Sequence, residues 1–263
     1  MPQHTMTEQS NQLAKVSVII PILNGEKYIL AALDSLLAER NINIDIIVID
    51  DGCTDKSMDI VKQHQSKHPC IRCLGGNNKG VSAARNLGLS NIRPDTDYIT
   101  FLDCDDLNKI GSIERHINLL IARPSAQFSY GLMQLFEEVD ENNEIKSGTR
   151  TMIVKGVSLS AAVFKKSVFD TMDWFAEDLR FAEDMDFFLR LLETGVDYVE
   201  DDQVAILYRR HQDNVTNDVH ASQRGFIDAL RRSLQRRRDQ GIVGEVSDLF
   251  KARLSMEEQF KNE

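Results

Sequence analysis

No apolar stretch in these 263 residues approaches the roughly 20 positions that a membrane-spanning helix needs. An excess of positive charge is also missing. The net charge of -10 argues against non-specific nucleic-acid binding, which needs a basic footprint. Four cysteines are too few for a disulfide framework, so a reducing cytoplasm is the default expectation. The pair Cys70 and Cys73 has C-x-x-C spacing but no second pair beside it, and residues three apart on an extended segment face opposite sides, which suits a metal poorly. Residues 1–15 are polar and lack the apolar centre of a signal peptide; they read as a disordered lead-in. There is no internal repeat and no low-complexity linker.

What the chain does have is acid placed where apolar runs stop. Tyr98 to Leu102 is apolar and β-prone, and it ends in Asp103, Asp105 and Asp106. Carboxylates crowded in this way repel each other and resist burial unless something positive joins them. A divalent cation carrying a diphosphate would satisfy them. A second such junction lies at Ile46 to Asp51, and an acidic helix start lies at Ala182 to Asp186. Each cluster read alone is a solvated loop or a set of first-turn acids; three together suggest an assembled site.

The order of elements predicts an α/β fold. Val16 to Ile20 reads as a strand stopping at Pro21, and Asn24 as the cap of a helix with Ile29, Leu30, Leu33, Leu36 and Leu37 on one face. Strands follow at Ile46 to Ile49, Cys70 to Leu74 and Tyr98 to Leu102, separated by helices from about Asp55 and Val81. That rhythm implies a Rossmann-like, mostly parallel sheet with helices on both faces, whose ligands sit beyond the carboxyl ends of the strands. After a helix at Ile110 to Ala122, Gln127 to Val139 and Ile145 to Val154 flank the acidic turn 140–144 as an antiparallel hairpin. Helices are expected near Leu159 to Thr171 and Ala182 to Glu193, with Gly195 as a stop, then a strand at Val204 to Tyr208. From about Ala221 the chain reads as helical.

Six segments, in order, resemble the inverting family 2 glycosyltransferases of GT-A fold. They are Val16 to Asn24, Ile49 to Asp55, Asn78 to Gly88, Phe101 to Asp106, Ala182 to Leu192 and Tyr208 to Thr216. Cys53 stands where the family usually has serine, and Cys104 fills the variable middle of the D-x-D; buried, inert thiols are the preferred reading of both. The resemblance implies a GT-A domain at 16–217, with a nucleotide half at 16–106 and an acceptor half at 107–217, followed by a helical extension at 218–263.

The resemblance also implies roles. Pro21 and Asn24 would floor the nucleotide pocket. Asp50 or Asp51 would accept a hydrogen bond from the base, as a carboxylate suits a uracil or thymine N–H. Lys79 and Arg85 would face the diphosphate, Arg85 with forked donors. Asp103 would contact ribose or the metal shell and Asp105 would bind Mg²⁺ or Mn²⁺, both side chains pointing to one side of an extended segment. His211 would approach the metal or phosphates. Asp184, at a helix start that favours the ionised form, would be the general base, with Glu183 and Asp186 as its alternatives.

The implied partners are a nucleotide-sugar donor, UDP-linked in the first instance, and a glycan or lipid-linked acceptor. Asn214-Val-Thr216 spells a sequon but fits better as part of the loop motif. Arg224, Arg231, Arg232 and Arg236 to Arg238 lie on a helix with Phe226, Ile227, Leu230 and Leu234. That helix either meets anionic lipid at the inner face of the membrane or packs its apolar side on the domain and solvates its arginines, the second being preferred. The segment Val246 to Phe260 could serve a homodimer. A non-catalytic sugar-nucleotide-binding or interaction protein stays open as a different reading of the same scaffold. A nucleotidyltransferase is a third reading, but no Gly-rich triphosphate loop near the N-terminus supports it.

Overall fold

The structure is a computed structural model describing residues 13–76, 78–140, 143–212, 214 and 217–241. Four parallel strands open the chain: β1 (Ala14–Ile22), β2 (Ile42–Asp50), β3 (Ile71–Gly75) and β4 (Tyr98–Phe101). Between them lie α1 (Ile29–Leu37), α2 (Ser57–Lys67) and α3 (Val81–Leu89). The strand order β3-β2-β1-β4 reverses direction after β3. With right-handed crossovers, α1 and α2 therefore lie on one face and α3 on the other. The reversal opens a crevice past the ends of β1 and β4, the usual ligand position in such sheets.

The second half adds β5 (Leu107–Asn108), α4 (Ser112–Ala122), β6 (Phe128–Phe136), β7 (Met152–Val154), a 3₁₀ turn at Leu159–Ala161, β8 (Ala162–Lys165), α5 (Ser167–Thr171), α6 (Glu183–Glu193), β9 (Tyr198–Arg209) and α7 (Val219–Gln240). The sheet continues from β4 as β8-β6-β9-β5, with β7 on β6. Here β4–β8, β8–β6, β6–β7 and β9–β5 are antiparallel, while β6–β9 is parallel. The expected hairpin is present: Met133 to Leu135 pair with Met152 to Val154, and Val139 bridges Ile145. Fully buried phenylalanines lock the seam between the halves. Phe164 lies 5.6 Å from Phe128 and 5.7 Å from Phe187, and Phe101 lies 5.8 Å from Phe169. Such edge and stacked pairs contribute beyond area burial.

Several expectations change. Ala14 and Lys15, assigned to the lead-in, already belong to β1; residues 1–12 lie outside the described ones. Strand β1 does not stop at Pro21. Ile19 O accepts from Leu102 N on the β4 side and Ile22 O from Asp51 N on the β2 side. By alternation Pro21 turns its missing donor toward β4, which has already ended, so no ladder bond is lost. Asn24 does not cap α1. It adopts a left-handed φ of 54°, and the helix begins five residues later, fastened by Tyr28 N and Ile29 N to Gly25 O. The span 159–171 is not one helix, because Ala162 to Lys165 fill the place between β4 and β6 and are claimed as a strand.

Helix α7 also packs otherwise than its apolar pattern suggested. Its buried face is Ala221, Gly225, Ala229 and Ser233, and a Cβ on Gly225 would stand 2.6 Å from Phe181 Cβ. Small residues permit that close approach, leaving Ile227 and Leu234 at 45% and 52% exposure. Arg232 pairs with Asp178 at 2.7 Å, and Arg236 with Asp186 and Glu193 at 3.0 and 2.8 Å, so these two arginines fasten the helix to the domain. The segment proposed for a homodimer lies outside the described residues.

Candidate active site

The end of β2 is organised by backbone amides. Asp50 Oδ1 accepts from Gly52 N and Cys53 N. Asp51, buried, accepts from Lys79 N at 3.0 Å and Gly80 N at 2.9 Å, tying the glycine-rich loop across the strand end. Gly52 takes φ 101°, a conformation that L side chains resist, with Asn78 closing in above it. Asn24 Oδ1 accepts from Thr54 N and its hydroxyl, and Gly25 N donates to Ser57 Oγ, so the loops after β1 and β2 form one wall. A Cβ on Gly25 would lie 2.9 Å from Cys104 Sγ, which places this wall against the D-x-D. Pro21 lies buried just below it. The Lys79 side chain is exposed at the loop, while its amide serves Asp51.

The D-x-D is a turn, with Asp106 N donating to Asp103 O, and not the extended segment that strand alternation had suggested. The turn separates its acids. Asp103 Oδ1 accepts from Arg85 Nη2 at 2.8 Å. Asp105 Oδ2 lies 2.8 Å from His211 Nε2, and Asn214 reaches the same oxygen. Asp106 is buried and accepts from Arg209 N, while its Oδ2 has no partner among the described residues. Burial, reinforced by Asp103, raises the Asp105 carboxyl above its usual range, with His211 offsetting part. Asp106 is pushed up further by burial and then by Asp105 and Asp103.

A second layer steadies the turn. Arg209 Nε donates to Asp105 O, and its guanidinium sits 5.1 Å from the Tyr28 ring centroid and 4.7 Å from that of Phe136. Tyr28 also stacks on His211 at 4.7 Å, and Asn214 accepts from His211 N and donates to Arg209 O. Asp106 was singled out from sequence with Asp103 and Asp105, and Asn214 as part of the loop motif, but neither as a support of the turn; Tyr28 and Arg209 were given no role. Arg209 and Asn214 lie inside the Tyr208 to Thr216 motif, which was the available signal; Tyr28 gave none.

Arg85 lies differently from its sequence expectation. It is 4% exposed, so it presents no face to a solvent-borne diphosphate. Its Nη1 donates to Glu183 Oε1 at 2.6 Å, opposite the bond to Asp103. One guanidinium thus joins the D-x-D turn to the start of α6, and Gly25 already brings that turn against the loops after β1 and β2. In the first turn of α6 the acids divide. Glu183 is taken by Arg85. Asp186 is buried and paired with Arg190 and Arg236, which removes it as an alternative base. Asp184 is partly buried, and its Oδ1 accepts from Met185 N at 2.7 Å.

The Cys53 and Cys104 thiols are both held toward the protonated form. Burial pushes Cys53 up to about 11, its Sγ accepting from Asn24 N and donating to Ile22 O. Cys104 is raised well above the usual thiol range by burial and then by Asp105 and Asp103.

Among the described residues, no three His, Cys, Asp or Glu side chains gather into a ready-made metal cage. Asp103, expected as a ligand, is engaged by Arg85, whereas Asp105 and His211 stand together. Two protein donors still fit a hard cation that takes its remaining ligands from phosphates and water. The orphaned Asp106 oxygen in the same turn favours such an ion.

Residues 17–172 match the family model described as Glycosyl transferase family 2, and the chain belongs to that family. The Bacillus subtilis minor teichoic acid biosynthesis protein GgaA is 30% identical over 195 residues, which cover 67% of this chain and 43% of that protein. The S. aureus TarS 1-349 structure with UDP-GlcNAc superposes with a TM-score of 0.60 at 18% identity, over 78% of this chain and 61% of that one. The Pyrobaculum calidifontis mannosyltransferase PcManGT, with GDP-Man and Mn²⁺, gives 0.67 at 14% identity, over 90% and 66%. At these identities the solved structures show the fold, which is GT-A. The chain spans less than half the length of the curated relatives it matches.

Proposed function

We propose that this chain is a divalent-metal-dependent, inverting glycosyltransferase that moves a sugar from a nucleotide-diphosphate sugar to an acceptor hydroxyl in glycan, polysaccharide or glycolipid synthesis. The observation that carries the reading is Arg85. By bonding both Asp103 and Glu183 it brings the D-x-D turn and the acid-bearing start of α6 to the same crevice. A donor between them would present its diphosphate to the turn and its anomeric carbon toward Asp184.

In this reading the loop wall of Pro21, Asn24, Asp50 and Asp51 receives the nucleotide. Asp51 can accept a further donor while holding the loop amides, because each carboxylate oxygen carries two lone pairs. That suits a base with an N–H edge and favours UDP. TarS and PcManGT, crystallised with UDP-GlcNAc and GDP-Man, leave both uridine and guanosine donors in the family of folds. The exposed Lys79 supplies a mobile positive charge at the rim. Asp105 and His211 would hold Mn²⁺ or Mg²⁺, which when bound supplies Lewis-acid neutralisation of the leaving diphosphate. Asp184 takes the acceptor proton from the face opposite the leaving group, as single-displacement inversion requires. The part from 16–106 would serve the nucleotide and 107–217 the acceptor.

The test is thermal shift with UDP-, dTDP- and GDP-sugars, with and without Mn²⁺. The expected outcome is Mn²⁺-dependent protection by UDP that Asp105→Ala abolishes while the unliganded melting point stays near wild type. Equal protection of mutant and wild type would overturn the metal assignment, and binding without turnover of any donor would favour a non-catalytic nucleotide-sugar-binding protein.

A further inference from the structure

We infer that Arg85 and Glu183 form a positioning strut that sets where Asp184 stands relative to the D-x-D turn, so that the strut governs turnover rather than donor affinity. The inference rests on the transferase reading above and deepens it, replacing the diphosphate-facing role that the sequence suggested for Arg85.

Three observations carry it. First, Arg85 is sealed from ligand. Its two terminal nitrogens are committed to Glu183 and Asp103, and its guanidinium lies 5.7 Å from the Phe175 ring centroid. Asn86, next on the same helix, clamps Phe175 through both its backbone N and O. The helix carrying both residues is fixed in depth, since a Cβ on Gly88 would meet Ile19 Cγ2 at 2.5 Å.

Second, the start of α6 is packed through Phe181 on Gly225 and the buried Met185, but it carries no side-chain cap. Ala182 enters the helix with φ 60° and makes no side-chain cap. A helix N-terminus with no cap frays readily. Further along, Asp186 is pinned by Arg190 and Arg236, and Phe187 and Phe188 are fully buried. The turn carrying Asp184 is therefore anchored behind by the core and in front by Glu183, whose side chain is 12% exposed.

Third, the span needs a fork. One cation must reach two carboxylates on separate elements, 98 and 18 residues away in sequence. A guanidinium can do so with its planar donors, whereas a lysine ammonium is a single point charge. A misplacement of about 1 Å at a reacting group can cost about 10²-fold in rate, which is the effect a lost strut should have.

The experiment compares Glu183→Ala, Glu183→Gln and Arg85→Lys in the full chain. Readouts are kcat and KM for the best donor, UDP affinity with Mn²⁺ by calorimetry, and hydrogen exchange of the Asp186 to Phe188 amides in metal-free protein. Glu183→Ala and Arg85→Lys should each lower kcat by about 10- to 10²-fold, with UDP affinity within about threefold of wild type. Glu183→Gln, whose amide oxygen still accepts from Arg85, should recover most of that loss. Exchange of the first α6 turn should quicken by about tenfold in Glu183→Ala while later turns keep wild-type protection. A fall in UDP affinity matching the fall in kcat for Arg85→Lys would make Arg85 a donor contact and overturn the inference. Wild-type exchange of that turn in Glu183→Ala would overturn it as well, whatever the activity. Because exchange is read without donor or metal, it decides the strut even if wild-type protein transfers no sugar, a result that would instead sink the transferase reading.

Discussion

Strands β2 and β4 both run parallel beside β1 and both end in acids, yet the two endings are held by different kinds of partner. At the end of β2, Asp50 and Asp51 are satisfied by four backbone amides, from Gly52, Cys53, Lys79 and Gly80. At the end of β4, Asp103 and Asp105 are held by the side chains of Arg85, His211 and Asn214, and Asp106 keeps one oxygen unpartnered among the described residues. Backbone amides quench charge without adding a competing cation, so the β2 ending is settled as it stands. The β4 ending concentrates carboxylates out of water, and burial followed by their mutual repulsion raises Asp105 and Asp106. Crowding of that kind costs stability, which a cation bound there would recover.

The largest expected effect asks whether the third acidic cluster belongs with the β4 ending. Asp184→Asn keeps the shape of the side chain but cannot take up a proton near neutral pH. Turnover should fall at least about 10²-fold, the lower end of general-base contributions, with UDP binding little changed. Turnover within a few-fold of wild type would break the assignment, because Glu183 and Asp186 are both held by arginines.

The next test reads the β2 ending as structure. Asp51→Asn turns an amide NH₂ toward one of two backbone N–H groups and removes charge assistance. A loss of about 1.5–3 kcal/mol in urea denaturation is expected, the size of hydrogen bonds to a charged group. The matching change at the other ending, Asp106→Asn, should have the opposite sign. It removes a buried charge repelled by Asp105 and Asp103, leaves an oxygen for Arg209 N, and offers a donor where an orphan acceptor stood. Stability should hold or rise by up to about 1 kcal/mol. If both substitutions destabilise equally, the distinction between the two endings fails.

The smallest effects lie on α7, where the same contrast recurs among cations. Arg236, held by Asp186 and Glu193, should cost about 1–2 kcal/mol when changed to Gln, discounted for its partial exposure. Changing the exposed Arg224, Arg231 and Arg238 to Gln together should alter stability by no more than about 0.5 kcal/mol. Binding of wild-type protein to anionic vesicles at low salt, lost in that triple variant, would support a membrane contact of this face, where Ile227 and Leu234 are also exposed. No vesicle binding by wild type would end that idea. No helix among the described residues is long and apolar enough to cross a membrane.

The sequence by itself determined the parallel half of the fold and the hairpin at 139–145, and it supplied Asp103, Asp105, Asp184 and His211 for the proposed site. These are legible because apolar period, turn residues and motif order are short-range properties of the chain. Tertiary structure alone decided the rest. Ala162 to Lys165 became a strand because two neighbouring strands left a place to fill, although the local pattern favours a helix. Arg85 was drawn inward because Asp103 and Glu183 offered two carboxylates in a buried gap, a demand that no residue near it in sequence announces. The same holds for Arg236, which looks like a surface charge until α6 presents Asp186 and Glu193. Charge neutralisation inside a protein depends on distances across the fold, and a reading that runs along the chain does not contain them.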